Sequence, residues 1–320
     1  MPLLAPPVHA AGAEQADVAT SIVDALQRLG GPKTGLRKAH PKGVCFSGSF
    51  MPDAASAASV TRSPAYTAKA AYSVIGRFSQ AGPNPAAADN THDGRGLAVR
   101  LAPDGDNRMD LVLVSTPMFP AANPKDFLEL LQAVGPDPAT GKPDQARLDA
   151  YLAAHPAVGR QAAWQKSHPV YASYAATPYF GIHAFRFTNA QGQSIKGKIV
   201  AEPVGGAVGL DDDEAKARGA DFLQSELAAH VAKQPAAIDI FVQIGEAADP
   251  TDNPSVAWPD ERRKVHLGRL SIEKATGQEC AGELFMPTTL TTGVEPIDDP
   301  LLSVRAQAYA VSFGRRVSGQ

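Results

Sequence analysis

Hydrophobic residues along the chain follow two spacings, one typical of helices and the other of strands. In four segments they recur every three or four positions, which predicts amphipathic helices, and Gly30-Gly31 ends the first of them. In seven others, short apolar or alternating runs lie between turn-forming residues, which predicts strands. The predicted helices are 16–29, 126–134, 145–154 and 213–233, and the predicted strands are 43–50, 97–101, 110–116, 183–188, 195–202, 238–244 and 266–272.

Turn-forming residues connect two pairs of these strands. The segment 103–107 (PDGDN) separates the second strand from the third, and 189–193 (NAQGQ) separates the fourth from the fifth. Each pair is therefore predicted to form an antiparallel hairpin. Strands outnumber helices and do not alternate regularly with them, which argues against a doubly wound sheet. The pattern favours an α+β fold, with an antiparallel sheet or barrel and helices packed outside it.

The chain has no internal feature that would divide it into several domains. Its 27 prolines are spread along the sequence, and no repeat of fixed period is visible. We therefore predict a flexible N-terminal tail, residues 1–15, followed by a single domain, residues 16–320. Hydrophobic residues make up 44% of the chain and charged residues 20%, so the domain can bury a core large enough to enclose a cofactor.

Charge and motifs exclude several classes of function. The formal net charge is −3, which gives no electrostatic attraction for nucleic acid or for an anionic membrane. No apolar run reaches the length of a membrane span, and the glycine motifs of nucleotide-binding loops are absent. The acidic run 211–213 is expected to cap the helix that follows it. The compartment stays open between periplasm and cytoplasm.

The chain contains two cysteines, Cys45 and Cys280. They could form one disulfide, but sequence spacing does not decide whether they do. Because isolated cysteines mostly behave as small buried hydrophobic residues, we expect two structural thiols. The chain has no CxxC motif, so a thiolate zinc cluster or thioredoxin-like chemistry has no support.

Two short arginine-containing patterns are candidates for chemistry. The eight histidines are dispersed with no pair three or four residues apart, which excludes a helix-borne metal pair. One of them, His40, follows Arg37 by three residues, and Tyr309 follows Arg305 by four. On a helix the second spacing places both side chains on one face, where an arginine stabilises the anionic form of a phenol. A phenolate can bind ferric haem iron, although an arginine simply packed on a surface tyrosine fits the same spacing.

A set of short blocks in a fixed order adds a resemblance to these patterns. The chain resembles the haem catalase superfamily, and most closely its compact catalase-related peroxidases, over residues 36–316. Block 92–100 (HDGRGLAVR) looks like the family's RDPRGFAVKF, and 110–119 (DLVLVSTPMF) looks like DLVGNNTPIFF. The other matching blocks are Arg37-x-x-His40-x-Lys42-Gly43, Arg77-Phe78-Ser79, 124–127, 179–181, 184–187, 258–259, 293–296 and 305–316.

The resemblance implies a haem b cofactor, iron protoporphyrin IX, buried between a catalase-like antiparallel barrel and the surrounding helices. By position, His40 corresponds to the distal acid–base residue and Ser79 to the group that fixes its tautomer. Tyr309 corresponds to the axial iron ligand, with Arg305 keeping it as phenolate. The remaining implied contacts are three arginines for the haem propionates and two pocket aromatics: Arg37, Arg77, Arg316, Phe119 and Phe127.

The chain departs from the family pattern in two respects. Val114 occupies the position of the distal asparagine, which donates a hydrogen bond to peroxide, and Val cannot do so. The neighbouring Ser115 could substitute, but strand alternation points it to the opposite face. The chain is also shorter than full-size catalases, so we expect it to lack their arms and extra domain. A more open pocket admits organic donors, and both departures favour peroxidase over catalase activity.

The predicted function is therefore reduction of hydrogen peroxide, and also of organic peroxides, with small organic electron donors and a weak catalase side activity. A true catalase, a non-catalytic haem-binding protein and an isomerase of fatty-acid hydroperoxides remain as alternatives. The retained His40 argues against a simple haem binder, because a binder does not need a distal acid–base residue. A homodimer is expected, with no nucleic-acid partner.

Overall fold

The computed structural model of the protein describes residues 8–31, 34–137 and 139–320, with side chains from residue 15 onward. Among the described elements strands outnumber helices, and the two do not alternate regularly. The strands are β1 (Gly43–Pro52), β2 (Tyr72–Gln80), β3 (Arg95–Leu101), β4 (Met109–Val114), β5 (Val170–Tyr171), β6 (Tyr179–Phe180), β7 (Phe185–Thr188), β8 (Ser194–Pro203), β9 (Gly209–Leu210), β10 (Ala236–Ile244), β11 (Lys264–Gly277) and β12 (Val294–Pro296). The helices are α1 (Val8–Gly30), α2 (Ala54–Ala57), α3 (Pro64–Thr67), α4 (Pro124–Val134), α5 (Gln145–Ala154), α6 (Pro156–Ser167), α7 (Asp212–Arg218), α8 (Leu223–Val231) and α9 (Pro300–Val317).

Eight of the described strands close into an antiparallel barrel. They follow the order β10-β11-β1-β2-β3-β4-β6-β8, and β8 pairs back with β10. β7 and β12 extend the sheet beyond β8, while β5 and β9 form a separate two-stranded ribbon. The two predicted hairpins are confirmed as β3–β4 and β7–β8. Full closure removes the exposed sheet edges that would otherwise invite aggregation.

Large apolar side chains fill the interior of the barrel. Phe46, Phe78, Leu97, Leu113 and Tyr179 are all buried there. Each such side chain contributes about 1.5–3 kcal/mol through burial. Because successive strand residues point to opposite faces, the residues that alternate with these form the outer face of the barrel.

The outer face of β1–β4 and the C-terminal helix enclose the part of the fold that matters for function. α9 packs against α1 and α4 through buried Ala19, Ile22, Leu131 and Val304. At its start, Asp299 Oδ1 accepts the backbone N–H groups of the first helical residues, and Pro300 follows directly. A capping carboxylate followed by proline is a favourable helix start, so the position of α9 is fixed locally as well as by packing.

The structure corrects several of the sequence predictions. The single helix predicted over 213–233 is wrong, since Gly219 adopts a φ of 79° and separates α7 from α8. Nine of the described elements lie outside the predicted segments: β2, β5, β6, β9, β12, α2, α3, α6 and α9. α1 begins at Val8, inside the predicted tail, and residues 1–7 of that tail lie outside the described residues. The single domain over 16–320 stays a prediction. The expected cap is confirmed, because Asp211 and Glu214 form a capping box on α7.

The expectation of two structural thiols is also wrong. Cys45 on β1 and Cys280, just after β11, form a disulfide with their Cα atoms 5.7 Å apart. Both cysteines are buried and lie in a small apolar cluster with Phe285 on the outer face of the barrel. The sequence could not reveal the pairing, because the two positions meet only once β1 and β11 are neighbours. None of the described helices is both long and apolar enough to cross a membrane.

Candidate functional site

Three neighbouring strands present a row of small residues on the outer face of the barrel. Ser79 on β2 pairs with Gly96 on β3, and Gly96 pairs with Val114 on β4. Directly paired residues share a face of the sheet, so the three positions lie side by side. The ring of His40 lies on this row, with Nδ1 3.0 Å from Ser79 Oγ. A Cβ on Gly96 would stand 2.9 Å from His40 Nδ1 and 2.6 Å from Ser79 Oγ. Glycine is therefore required for the ring to approach.

The backbone of His40 is held in an unusual conformation. Its φ of 55° lies in the left-handed region, which is rare for a non-glycine residue and costs free energy. Two hydrogen bonds hold it there. The His40 N–H donates to Gly82 O over 2.8 Å, and the His40 carbonyl accepts from Arg77 Nη1 over 2.9 Å. This conformation aims the ring across the sheet towards Ser79.

The surroundings of His40 keep its ring neutral. Burial, together with the positive charges of Arg77, Arg305 and Arg37, lowers its pKa to about 4. With Nδ1 engaged by Ser79, Nε2 is the nitrogen available to a substrate. A neutral imidazole with one free nitrogen can accept a proton near neutral pH.

A chain of hydrogen bonds leads from a buried carboxylate to Tyr309. Arg305 Nη2 donates to Tyr309 Oη over 2.6 Å, and Arg305 Nη1 lies 2.9 Å from His183 Nε2. His183 Nδ1 lies 2.6 Å from Asp299 Oδ2. Arginine only donates, so His183 Nε2 must accept, and Nδ1 carries the proton that it donates to Asp299. Burial lowers the pKa of His183 to about 4, which agrees with this neutral tautomer.

The sequence reasoning missed both His183 and Asp299. His183 lies 122 residues from Arg305 in the chain, so no local spacing connects them. One signal was available, because the segment Asp299-Pro300 has the pattern of a helix start directly before the Arg305–Tyr309 pair. Asp299 serves twice: Oδ1 caps α9, and Oδ2 accepts from His183. The same carboxylate therefore fixes the helix and the arginine on it.

Three arginines from distant parts of the chain lie close together beside this site. Arg37, Arg77 and Arg316 repel one another. Burial lowers the pKa of Arg37 to about 9, and the charges of Arg77 and Arg316 act in the same direction. Burial likewise lowers the pKa of Arg77 to about 10. Tyr309 acts on Arg37 in the opposite direction, so the phenol lies near this arginine.

These guanidinium groups form hydrogen bonds to backbone carbonyls and not to carboxylates within the described residues. The acceptors are Cys280 O and Glu283 O for Arg37, His40 O and Pro41 O for Arg77, and Glu283 O for Arg316. Arg77 Nε is buried and has no partner in the same part of the chain. Buried charges normally have a counter-ion, and guanidinium groups bind carboxylates in a bidentate manner. The cluster is therefore built for an anionic ligand.

The two predicted pocket aromatics lie against each other. Phe119 precedes α4 and Phe127 lies within it, with ring centroids 4.9 Å apart. Phe127 also packs against the cluster that contains Val304 of α9, as does Ala308, the neighbour of Tyr309. The structure thus brings Phe127 to the α9 side of the site, and Phe119 joins it through their contact.

Ser115 does not replace the missing asparagine. Its hydroxyl oxygen is buried and accepts the Arg95 N–H over 2.8 Å, on the face opposite Ser79. Val114 remains on the same face as Ser79 and is only partly buried. The wall near His40 is therefore apolar at the position where the family pattern has a hydrogen-bond donor.

These residues fit a haem. No cluster of three His, Cys, Asp or Glu side chains in the described part of the chain could hold a metal ion by itself. An iron bound at Tyr309 would therefore need ligands of its own, as a porphyrin provides. Arg37, Arg77 and Arg316 would match its two carboxylates, and the buried Arg77 Nε, which has no partner among the described residues, could donate to such a group.

Comparison with known proteins assigns the chain to a family. The family model described as catalase matches residues 18–320. The chain belongs to the catalase family. A catalase-related peroxidase of Synechococcus elongatus is 35% identical over 93% of this chain and 88% of its own length. Another, of Mycolicibacterium paratuberculosis, is 32% identical over 92% and 93%. Membership in the catalase family implies a haem cofactor.

Solved catalases share the fold. Catalase A of Saccharomyces cerevisiae superposes with a TM-score of 0.76 at 19% identity, covering 88% of this chain and 61% of its own. A bacterial catalase gives a TM-score of 0.75 with 57% of its length covered. The chain thus spans about three-fifths of these solved catalases, and the predicted catalase-like antiparallel barrel with surrounding helices is confirmed.

Proposed function

We propose that this catalase-family protein is a haem peroxidase that reduces hydrogen peroxide with small organic electron donors and has weak catalase activity. Two relatives that align across more than nine-tenths of the chain are named catalase-related peroxidases, which supports this activity. The observation that carries the proposal is geometric: Ser79 holds Nδ1 of His40, and His40 lies near Arg305, which donates to Tyr309.

The cofactor is proposed to be haem b. When bound, it supplies the redox chemistry, while the protein provides orientation and electrostatics. Tyr309 would bind the iron, and Arg37, Arg77 and Arg316 would hold the propionates. Phe119 and Phe127 would give the pocket an apolar wall.

His40 is proposed to move the proton. Its Nε2 accepts a proton from one oxygen of the peroxide and returns it to the other, which then leaves as water when the O–O bond breaks. The two electrons for that cleavage would come from the bound haem. Ser79 holds Nδ1, which keeps the same nitrogen facing the substrate in every turnover. Gly96 leaves room for the ring to do so.

Tyr309 is proposed to act as a phenolate. Arg305 donates to its oxygen and so favours the negative charge. His183 and Asp299 hold the guanidinium in place and prevent it from turning away. These two residues are positioning residues, since they act through Arg305.

Val114 is proposed to set the balance between the two activities. Catalase turnover needs a second peroxide to be held and oxidised in the pocket, and Val114 offers it no hydrogen bond. An organic donor needs only electron transfer, so peroxidase activity suffers less. True catalase is the alternative function, because full-size catalases share the fold.

One comparison of products tests these proposals. Purified holoprotein is given hydrogen peroxide, and oxygen release is compared with oxidation of a chromogenic phenol. Dominant dye oxidation is expected, whereas dominant oxygen release would identify a true catalase. A normal haem spectrum with neither reaction would identify a haem-binding protein, and conversion of a fatty-acid hydroperoxide without donor would identify an isomerase.

The compartment and the assembly state are part of the same proposal. The Cys45–Cys280 disulfide supports an oxidising compartment such as the periplasm. Alkylation of thiols in fractionated cells tests this, since a cytoplasmic pool with two reactive thiols would contradict it. The homodimer stays a prediction that light scattering of the purified protein would check.

A further inference from the structure

A short irregular segment, residues 278–286, crosses the outer face of the barrel beside the site, and we call it the strap. We propose that the Cys45–Cys280 disulfide is a positioning element of the haem site, because it anchors the strap whose carbonyls orient Arg37 and Arg316. This inference rests on the proposed function, since it assumes that those arginines bind the propionates.

The disulfide lies on the same face of the sheet as Ser79, Gly96 and Val114. Cys45 pairs with Arg77 on the next strand, two positions from the pair of Gly43 with Ser79. Because side chains two positions apart point the same way, Cys45, Arg77 and Ser79 face the same side. The cross-link thus holds the strap against the face on which the site is built.

The strap connects the two ends of the arginine cluster. Glu283 O accepts from Arg37 Nη2 over 2.8 Å and from Arg316 Nη2 over 3.1 Å. Cys280 O is a second acceptor for Arg37, at 3.3 Å. One carbonyl therefore joins an arginine that precedes β1 to an arginine on α9. The carbonyl oxygen thus accepts from two cations that repel each other.

The two halves of the strap are anchored differently. The second half is held by polar contacts, since Leu284 O accepts from Arg100 and Arg108, and Met286 N donates to Asp110 Oδ2. The first half has the disulfide, the bond of Gln278 Nε2 to Gly43 O at 2.7 Å and a few bonds within its own turn. The arginine acceptors are the carbonyls of Cys280, which carries the cross-link, and of Glu283, whose side chain also contacts Arg100.

Loss of the disulfide should therefore loosen the acceptors before it affects the rest of the fold. Irregular segments with few buried contacts open locally at low free-energy cost. The Arg37 and Arg316 side chains would then lose their fixed directions, although the iron ligand Tyr309 would be untouched. The expected result is a haem that is bound through the same ligand but leaves more readily.

The test replaces both cysteines with alanine and follows haem loss from the holoprotein to excess apomyoglobin. Cys45→Ala/Cys280→Ala is expected to release haem about 10- to 100-fold faster, the range typical when supports of a metal site are removed. The absorption spectrum of the bound haem should stay unchanged. Hydrogen exchange of the strap amides should accelerate selectively.

Two further variants separate this effect from a general loss of stability. Ile240→Val trims a buried side chain inside the barrel and should leave haem release unchanged, although the protein is less stable. Glu283→Ala removes the side-chain contact of the strap with Arg100 while the disulfide stays, and it should speed haem release in the same direction. If the cysteine variant does not fold, Glu283→Ala still tests whether a loosened strap speeds haem release.

Two outcomes would overturn the inference. Equal haem release from the cysteine variant and Ile240→Val would show that the cross-link does not position the arginines. Two free thiols in denatured, unreduced wild-type protein would show that it does not form. Failure of the proposed function gives a different result, which is an unchanged haem spectrum in Tyr309→Phe. That result does not depend on how the cysteine variant behaves.

Discussion

Arg305 and Tyr309 lie one turn apart on α9, and Arg305 Nη2 donates to the phenol oxygen over 2.6 Å. The same guanidinium lies with its central carbon 5.3 Å from the centre of the phenol ring. The arginine thus contacts Tyr309 both at its oxygen and over its ring. This double contact fixes the direction of the phenol oxygen.

Replacing Tyr309 with Phe is expected to remove the iron ligand while leaving most of the pocket intact. The holoprotein should either lose haem or show a changed absorption spectrum. Tyr72→Phe is a matched control, because this tyrosine donates to Ala65 O and lies at the end of β2 opposite Ser79. Its haem spectrum should equal that of the wild type. A wild-type spectrum in Tyr309→Phe would rule out the ligand assignment.

Replacing His40 with Ala is expected to slow the first reaction with peroxide by about 10²- to 10⁴-fold, the usual contribution of a general acid–base residue. Haem content should not change, since His40 is not expected to bind iron. Stopped-flow spectroscopy of the holoprotein measures this step. The control His230→Ala, on α8, should react at the wild-type rate. Near wild-type reactivity in His40→Ala would contradict its role.

The pKa of His40 predicts how the peroxide reaction depends on pH. Burial and three arginines lower that pKa to about 4, so the ring is neutral and able to accept a proton above this value. The rate should be flat through neutral pH and fall as the pH drops through about 4. Single-turnover rates across this range provide the measurement. A decline already near the ordinary histidine pKa of about 6.5 would contradict it.

Replacing Val114 with Asn is expected to raise the ratio of oxygen release to dye oxidation. The amide could donate a hydrogen bond to peroxide, and one such bond is worth about 1 kcal/mol, or roughly fivefold in rate. Val114→Ala enlarges the pocket without adding a donor, so it separates polarity from space. An equal ratio in both variants would show that polarity at this position is unimportant.

Replacing Asp299 with Asn tests the double use of its carboxylate. An amide has a single oxygen acceptor, so it cannot serve both the N-terminus of α9 and His183 Nδ1. The free energy of unfolding should fall by about 1–3 kcal/mol, and the haem spectrum should shift as Arg305 loses support. Urea unfolding and absorption spectra measure the two effects. The neighbouring Asp298→Asn, which is exposed, makes the same charge change and should alter neither.

Features that depend on adjacent residues could be predicted from the sequence, whereas contacts between residues far apart in the chain could not. The segment PDGDN predicted the β3–β4 hairpin because a turn needs only adjacent residues. The sequence pattern did not predict β2, because Gly76 and Arg77 interrupt its apolar residues. Gly76 is needed there, since a Cβ would stand 2.2 Å from the ring of Phe46, and that neighbour is known only from the fold. His183 and Asp299 were missed for the same reason, because their contacts with Arg305 and with each other are known only from the fold.

The docking of α9 against α1 and α4 sets an order for maturation of the protein. His40, Ser79 and Arg77 leave the ribosome well before Tyr309 and Arg316 do. The site lacks Tyr309 and Arg316 until α9 is synthesised and docks. We therefore expect haem capture to follow completion of this helix. Nascent chains arrested before α9 should therefore fail to retain haem, whereas chains released after it should load normally.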